Sequence, residues 1–313
     1  MVEWAGYWDK TVERWRSEGL PGGLRSPPEI RAYFGLDAHE QVAIRPRAPS
    51  CPPAPGRGLP IVRDRDGYRE LKRHLYPREA FDPGRLDALA ARQRRGELAV
   101  WITLEGFFWF PRTILGIEEH LTSFYDCPDL LREICDDLLE FSLRVVDDVC
   151  RICTPDWMTF AEDMSYNHGP MLSPAQFETS LAPYYRALVP RLTASGIVPF
   201  VDTDGDVTVP IRWYTETGVQ GFLPLERMAG VDVRAIRAAH PRVRLMGAFD
   251  KTVMHLGEQR IRAEMERLYP VMAQGGFIPS CDHQTPPEVS IEDYRRYLRI
   301  LREYCERAAA RDR

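Results

Sequence analysis

No uninterrupted apolar run in this sequence is long enough to span a bilayer, and no charged-then-apolar leader opens it. A spanning helix needs roughly 20 consecutive apolar residues, so the chain reads as a soluble, cytoplasmic protein with no membrane partner. A basic excess is also missing: 41 Lys and Arg stand against 46 Asp and Glu, a net charge of −5. Without a basic face, nucleic acid and anionic lipid are not expected partners. Lysine is scarce beside arginine. Cysteine is limited to Cys51, Cys127, Cys135, Cys150, Cys153, Cys281 and Cys305. An odd set without a leader argues against a disulfide scaffold. Cys150 and Cys153 form a C-x-x-C, but they end the helical pattern "LLREICDDLLEFSLRVVDDVCRIC", where three-residue spacing also serves a buried face. Zinc sites of this kind usually need a second pair.

What is present suits one large core. The chain has 313 residues, 44% hydrophobic and 28% charged, a normal length for a single α/β barrel. The opening "MVEWAGYWDKTVERWRSEGLP" is amphipathic and tryptophan-rich, as a helix packed on a body would be. "PRAPSCPPAPGRGLP" (46–60) is proline-rich and aperiodic, a surface excursion. From about residue 97, short apolar runs alternate with helical patterns. The runs are "LAVWITLEG" (98–106), "WMTFAED" (157–163), "IVPFVDTDGD" (197–206), "GFLPLE" (221–226), "VRLMGAFD" (243–250) and "GFIPSCDH" (276–283). Helix-like stretches cover 127–153, 174–195, 231–239 and 258–273, and a last one starts at Ser290 with Asp293 in its first turn.

Strand–helix alternation of this length predicts parallel strands with helical crossovers. Six units are visible. Two more would lie in the first 95 residues, for example around "QVAIRP" (41–46), and eight would close a (β/α)8 TIM-type barrel. The expectation is a single barrel domain over 1–313, with a helical or irregular segment of about 1–95 packed on it or completing it. A doubly wound open sheet is the alternative.

The strands end in acid groups: Glu105; Glu162 and Asp163; Asp202, Asp204 and Asp206; Glu226; Asp250; and Asp282 with His283. A single acidic residue after a strand commonly caps the next helix. Six such ends on one barrel face are different, because gathered carboxylates repel unless something positive sits among them. A cation, a cationic ligand or the nearby Arg112, Arg227 and Lys251 would serve. The rim is therefore expected to bind a metal ion or to hold carboxyl groups with raised pKa. "DTDGD" resembles the start of a calcium loop, but its glycine is misplaced and no twelfth-position Glu follows, so calcium is rejected. Tyr166 and His168 share a loop with Glu162 and Asp163. Trp109, in the aromatic run after Glu105, suits a pocket wall. Arg112 suits an anion clamp or a helix-start salt bridge.

Four stretches carry a resemblance: "EDMSYNHGPMLSPAQFETSLAPYY", "VDTDGD...ETGVQGFLPLE", "LMGAFDK" and "GGFIPSCDHQTPPEVSIEDY". Together they resemble the uroporphyrinogen decarboxylase superfamily over about residues 97–300. The resemblance implies a (β/α)8 barrel with its site at the strand C-termini. One branch decarboxylates uroporphyrinogen without a cofactor, clamping it with arginines in a stretch like R-Q-A-G-R. This sequence has no such stretch, and a carboxylate-ringed rim is the wrong electrostatics for a polyanion. The other branch moves methyl groups among corrinoid proteins, thiols, folates and methylated substrates, often on zinc held by a His-x-Cys pair and a later Cys. Against that pattern Asp202 falls on the histidine, Asp204 on the first cysteine and Cys281 on the last.

The resemblance thus implies a metal site of Asp202, Asp204 and Cys281, with Glu226 or His283, for zinc or a harder cation. The leading expectation is a small-molecule enzyme transferring a methyl or other one-carbon group. His283 would act as acid/base, and Glu162, Asp163 and Tyr166 would work beside it. Glu105, Trp109, Arg112, His168, Asp206 and Asp250 would contact substrate. Corrinoid, folate and a corrinoid-protein partner enter by family analogy alone, and a homodimer is left open. The alternatives are a decarboxylase or lyase using rim carboxylic acids, and a non-catalytic barrel binding a ligand or corrinoid protein.

Overall fold

All six apolar runs, rich in β-branched and aromatic residues, form strands in the computed structural model, which describes residues 1–310. The "QVAIRP" region supplies one more. In chain order these are β1 (His39–Ile44), β2 (Ala99–Glu105), β3 (Trp157–Ala161), β4 (Val198–Asp202), β5 (Gly221–Leu223), β6 (Arg244–Phe249) and β7 (Phe277–Cys281). They pair in that order, every pair parallel, with registers such as Trp101 opposite Trp157 and Phe249 opposite Cys281. The sheet curls into a barrel. Alternate residues point inward, where Trp101, Trp157, Phe200, Leu223 and Met246 form an inner core. Gly221 belongs there because a Cβ would stand 2.3 Å from the Phe200 ring. The opposite side chains join a larger core beneath the helices.

The count departs from expectation. Among the described residues the sheet has seven strands, and no eighth pairs β7 to β1. The chain start fills that gap instead. The Glu3 carboxylate accepts the Cys281 N–H at 3.0 Å, and Trp4 Nε1–H donates to the Cys281 carbonyl at 2.7 Å. Gly6 O accepts from Thr285 N, and Met1 O accepts from Asp37 N just before β1. Side chains thus do much of the pairing that a ladder would do, which is why no period-2 pattern marks this segment.

The helices follow their predicted stretches: Pro128–Cys150, Val233–Ala239, Glu258–Met272 and Ile291–Ala309. Ser290 caps the last by accepting from Asp293 N. The pattern over 174–195 divides at Leu181 into Pro174–Ser180 and Ala182–Ala194, with Pro183 in the first turn of the second helix. The amphipathic start forms Asp9–Ser17, anchored by buried Trp15, whose Nε1–H donates to Val289 O. Cys150 and Cys153 are free thiols, and Cys153 Sγ sits 3.1 Å from Gln93 Oε1. No helix among the described residues is long and apolar enough to cross a membrane.

Candidate active site

The pleat of β4 carries Phe200 and Asp202 to the inner side, and the chain then turns through Asp204 and Gly205. Gly205 has φ +80, and a Cβ on it would lie 2.6 Å from the Tyr166 backbone, so only glycine passes here. Its N–H donates to Glu226 Oε2 at 3.0 Å, while Asp204 N–H donates to Asp163 Oδ1 at 3.3 Å. Asp163 (φ 40), Leu225 (φ 65) and Ala248 (φ 69) hold left-handed backbone without being glycine. Each such position costs about 1–3 kcal/mol. Asp163 and Leu225 follow β3 and β5, and Ala248 is the next-to-last residue of β6, so strained backbone sits at Asp163 itself and beside Glu226.

Asp204, Glu226 and His283 converge: one donor atom from each lies within 4.8 Å of the others. His283 Nε2 is 3.9 Å from Asp204 Oδ2. Lys251 stands beside them, its Nζ 3.7 Å from Glu226 Oε1 and 3.4 Å from Asp282 Oδ1. Asp282 is fully buried and also accepts Arg227 N–H at 2.9 Å and Lys251 N–H at 3.2 Å. It ties the loops after β5 and β6 together beneath the triad.

Burial pushes the Asp204 carboxyl up to about 7, and the Asp163 and Glu226 charges push the same way. Asp202 is driven well above the carboxylate range by burial and by Asp163 and Asp204. Burial, then Lys251, pushes His283 down, which keeps its ring neutral and a nitrogen lone pair free at pH 7. Two carboxylate oxygens and one neutral imidazole are a donor set that suits a divalent ion such as zinc, iron(II) or manganese. An ion there would offset the burial and the neighbouring charges that raise Asp204. The residues present therefore fit a metal.

Beside the triad lies a cavity of about 390 Å³, walled by Trp4, Trp101, Trp109, Asp163, Asp202 and Asp204 among others. A groove of about 700 Å³ between Thr215 and Arg244 sits at the opposite barrel end, away from these groups.

The expected ligand set changes in two places. Cys281 is not among the converging groups. It is buried in the outer core, on the side where its register partner Phe249 meets Tyr297, because one step along a strand reverses the face. Burial, with Glu3 and Asp282 adding to it, pushes its thiol well up, opposite to what a thiolate ligand needs. Asp202 lines the cavity but also stands outside the triad.

Other expected residues do structural work. Glu162 is fully buried and accepts the Phe108 and Trp109 N–H groups (3.1 and 3.3 Å) and the Tyr185 hydroxyl. It anchors the turn after β2, and a Cβ on Gly106 would collide with it at 1.6 Å. Asp250 accepts Thr252 N–H and Asp206 accepts Thr208 N–H, both at 2.9 Å, the capping role weighed for any single position. Tyr166 and His168 are exposed on a two-residue hairpin, rings edge to face, outside the cavity wall. Arg112 lies 5.2 Å over the Trp109 ring and donates to Asp163 O. Glu105 keeps Oε2 buried without a donor among the described residues. Burial raises its pKa, while Arg45 and Arg47 oppose the rise.

Sequence reasoning missed Trp4 as part of this site; it named Lys251 as a counter-charge and Asp282 as a strand-end acid, but gave Asp282 no role in holding the site together. Lys251 carried its signal as a rare lysine directly after a strand end, and Asp282 as an acid beside His283.

The sequence profile of the family described as "Uroporphyrinogen decarboxylase (URO-D)" matches residues 94–304. No protein with a curated description matches the chain. Among solved structures, a methyltransferase from Methanosarcina mazei is similar over 97% of this chain and 95% of its own, with TM-score 0.65 and 16% identity. A B12-independent methionine synthase from Shewanella sp. W3-18-1 is similar over 73% of this chain and 66% of its own, with TM-score 0.43 and 13% identity, too loose a match to build on. At these identities the likeness is one of fold.

Proposed function

The chain belongs to the uroporphyrinogen decarboxylase family, and from that premise we propose a metal-assisted methyl transferase acting on a small molecule at the strand C-termini. The observation that carries this reading is the convergence of Asp204, Glu226 and His283 beside a cavity fit for a small ligand. These three residues would hold the metal, which supplies Lewis acidity toward a bound nucleophile or leaving group. Asp282 fixes Lys251 against Glu226 and so orients one ligand. Asp163 and Asp202 face the bound molecule. In the transfer, the bond from donor atom to methyl carbon breaks with its electron pair left on the donor. A lone pair of the acceptor, a thiol or a corrinoid-protein partner by family analogy, forms the new bond. Uroporphyrinogen itself is disfavoured, since no Lys or Arg among the described residues lines the cavity.

Asp204 favours a second reading. A carboxyl held near 7 is part-protonated at neutral pH and suits proton delivery to a carbanion, as a decarboxylase or lyase requires.

Metal analysis of protein purified without chelator tests the proposal. One divalent ion per chain is expected, with Asp204→Asn and His283→Ala each weakening it by at least about 100-fold, on the scale of metal-site substitutions. A chelated protein that keeps full activity would end the metal's role and leave proton transfer.

A further inference from the structure

We infer that the cavity receives an organic monocation, an alkylated ammonium group held by the Asp202 carboxylate and the tryptophan faces. This rests on the reading above, because it takes the same cavity as the substrate pocket.

The walls are unusual in what they offer. Trp4 and Trp101 have already spent their indole N–H groups, Trp4 on the Cys281 carbonyl at 2.7 Å and Trp101 on Thr159 Oγ1 at 2.9 Å. Gln41, also on the wall, gives its amide to Thr103 Oγ1 at 2.8 Å. Asp204 N–H is spent on Asp163. What these residues present inward is ring surface and carboxylate oxygen. Such a lining has little for an anion, whereas a cation finds both a counter-charge and π faces. Trp109 already holds one cation, the Arg112 guanidinium 5.2 Å from its ring centre.

Asp202 points to the same ligand class. No described residue donates a hydrogen bond to its side chain or pairs with it, although it lines the cavity. Asp202 is half-buried, and a carboxylate so placed without a partner is costly to ionise unless the ligand supplies one. The local charge agrees. Asp163, Asp202, Asp204, Glu226 and Asp282 gather here, and the cations that touch them are Lys251, on Glu226 and Asp282, and Arg112, on the Asp163 carbonyl. Gln284, His283 and the Trp109 indole are the directional donors left on the wall, and an alkylated ammonium needs few such bonds.

Calorimetric titration of the full chain, zinc-loaded and metal-free, with tetramethylammonium, trimethylammonium, the neutral 3,3-dimethylbutan-1-ol and acetate tests this. The ammonium ions should bind at least about 10-fold tighter than the alcohol, and acetate should not bind. Comparing the two ammonium ions separates a quaternary ligand from a protonated amine, and binding of either supports the site. Asp202→Asn should lose at least about 10-fold in ammonium affinity while its zinc content stays at the wild-type level. Trp109→Leu is a second variant expected to weaken the ammonium ions more than the alcohol. Equal binding of the alcohol, or unchanged ammonium affinity in Asp202→Asn, would overturn the inference. Zinc bound with no ammonium binding overturns the cation site alone. Ammonium binding in a protein that takes no zinc supports it and removes the metal reading.

Discussion

At the residue scale, the acidic positions divide by surroundings, not by type. Glu162 and Asp204 both follow barrel strands, yet Glu162 lies in the core under Tyr185 and Asp204 meets His283 at the mouth. Burial pushes Glu162 up to about 8. The folded chain therefore keeps a proton that the unfolded chain releases near the ordinary Glu value. Stability is highest below that value and falls as pH rises through the folded pKa. Glu3, pushed up to about 7 by its burial, acts in the same direction. Metal-free protein should accordingly lose stability between pH 5 and 8. Glu162→Gln should remove roughly 2–4 kcal/mol of that loss, read from urea midpoints at both ends of the range. An unchanged slope in the variant would place the responsible proton elsewhere. None of this is written in the local sequence: "AEDMS" does not say which of its acids turns to the core.

The elements were legible where pattern is local. The six runs from "LAVWITLEG" to "GFIPSCDH" are strands because alternation and branched or aromatic side chains suit a pleated, buried ladder. Residues 1–7 were not legible as the filler between β7 and β1, since Glu3 and Trp4 reach across with side chains. The turns that end β5 and β6 depend on contacts just as remote. Gly247 sits at φ +103, and a Cβ on it would lie 2.1 Å from the Pro224 carbonyl, a backbone atom that cannot swing aside. Gly247→Ala should destabilise the fold by about 2–4 kcal/mol and loosen the proposed metal site, because Glu226 hangs from the opposing turn. Gly22→Ala, which meets nothing within 4 Å, should stay within about 0.5 kcal/mol. Denaturant midpoints for the pair decide it, and equal effects would deny the clash its importance.

At the scale of the whole molecule, the chain carries a net charge of −5, and three acidic residues line the cavity after the strand ends. A polyanion entering that cavity would meet the Asp163, Asp202 and Asp204 side chains. Incubation with uroporphyrinogen should give no turnover and no thermal shift, and measurable decarboxylation would refute this account of the rim. The sequence by itself determined the parallel α/β class, the family and the gathering of acid groups at one barrel end. Periodicity is local, and a parallel barrel carries every strand end to the same face. Only the tertiary structure decided which groups meet. The pleat turned Cys281 outward and Asp202 inward. Strained turns brought Glu226 to Asp204 and His283, and the chain start added Trp4 to the wall. Those outcomes hang on register and on contacts between distant segments, and one residue of slip would reverse each of them.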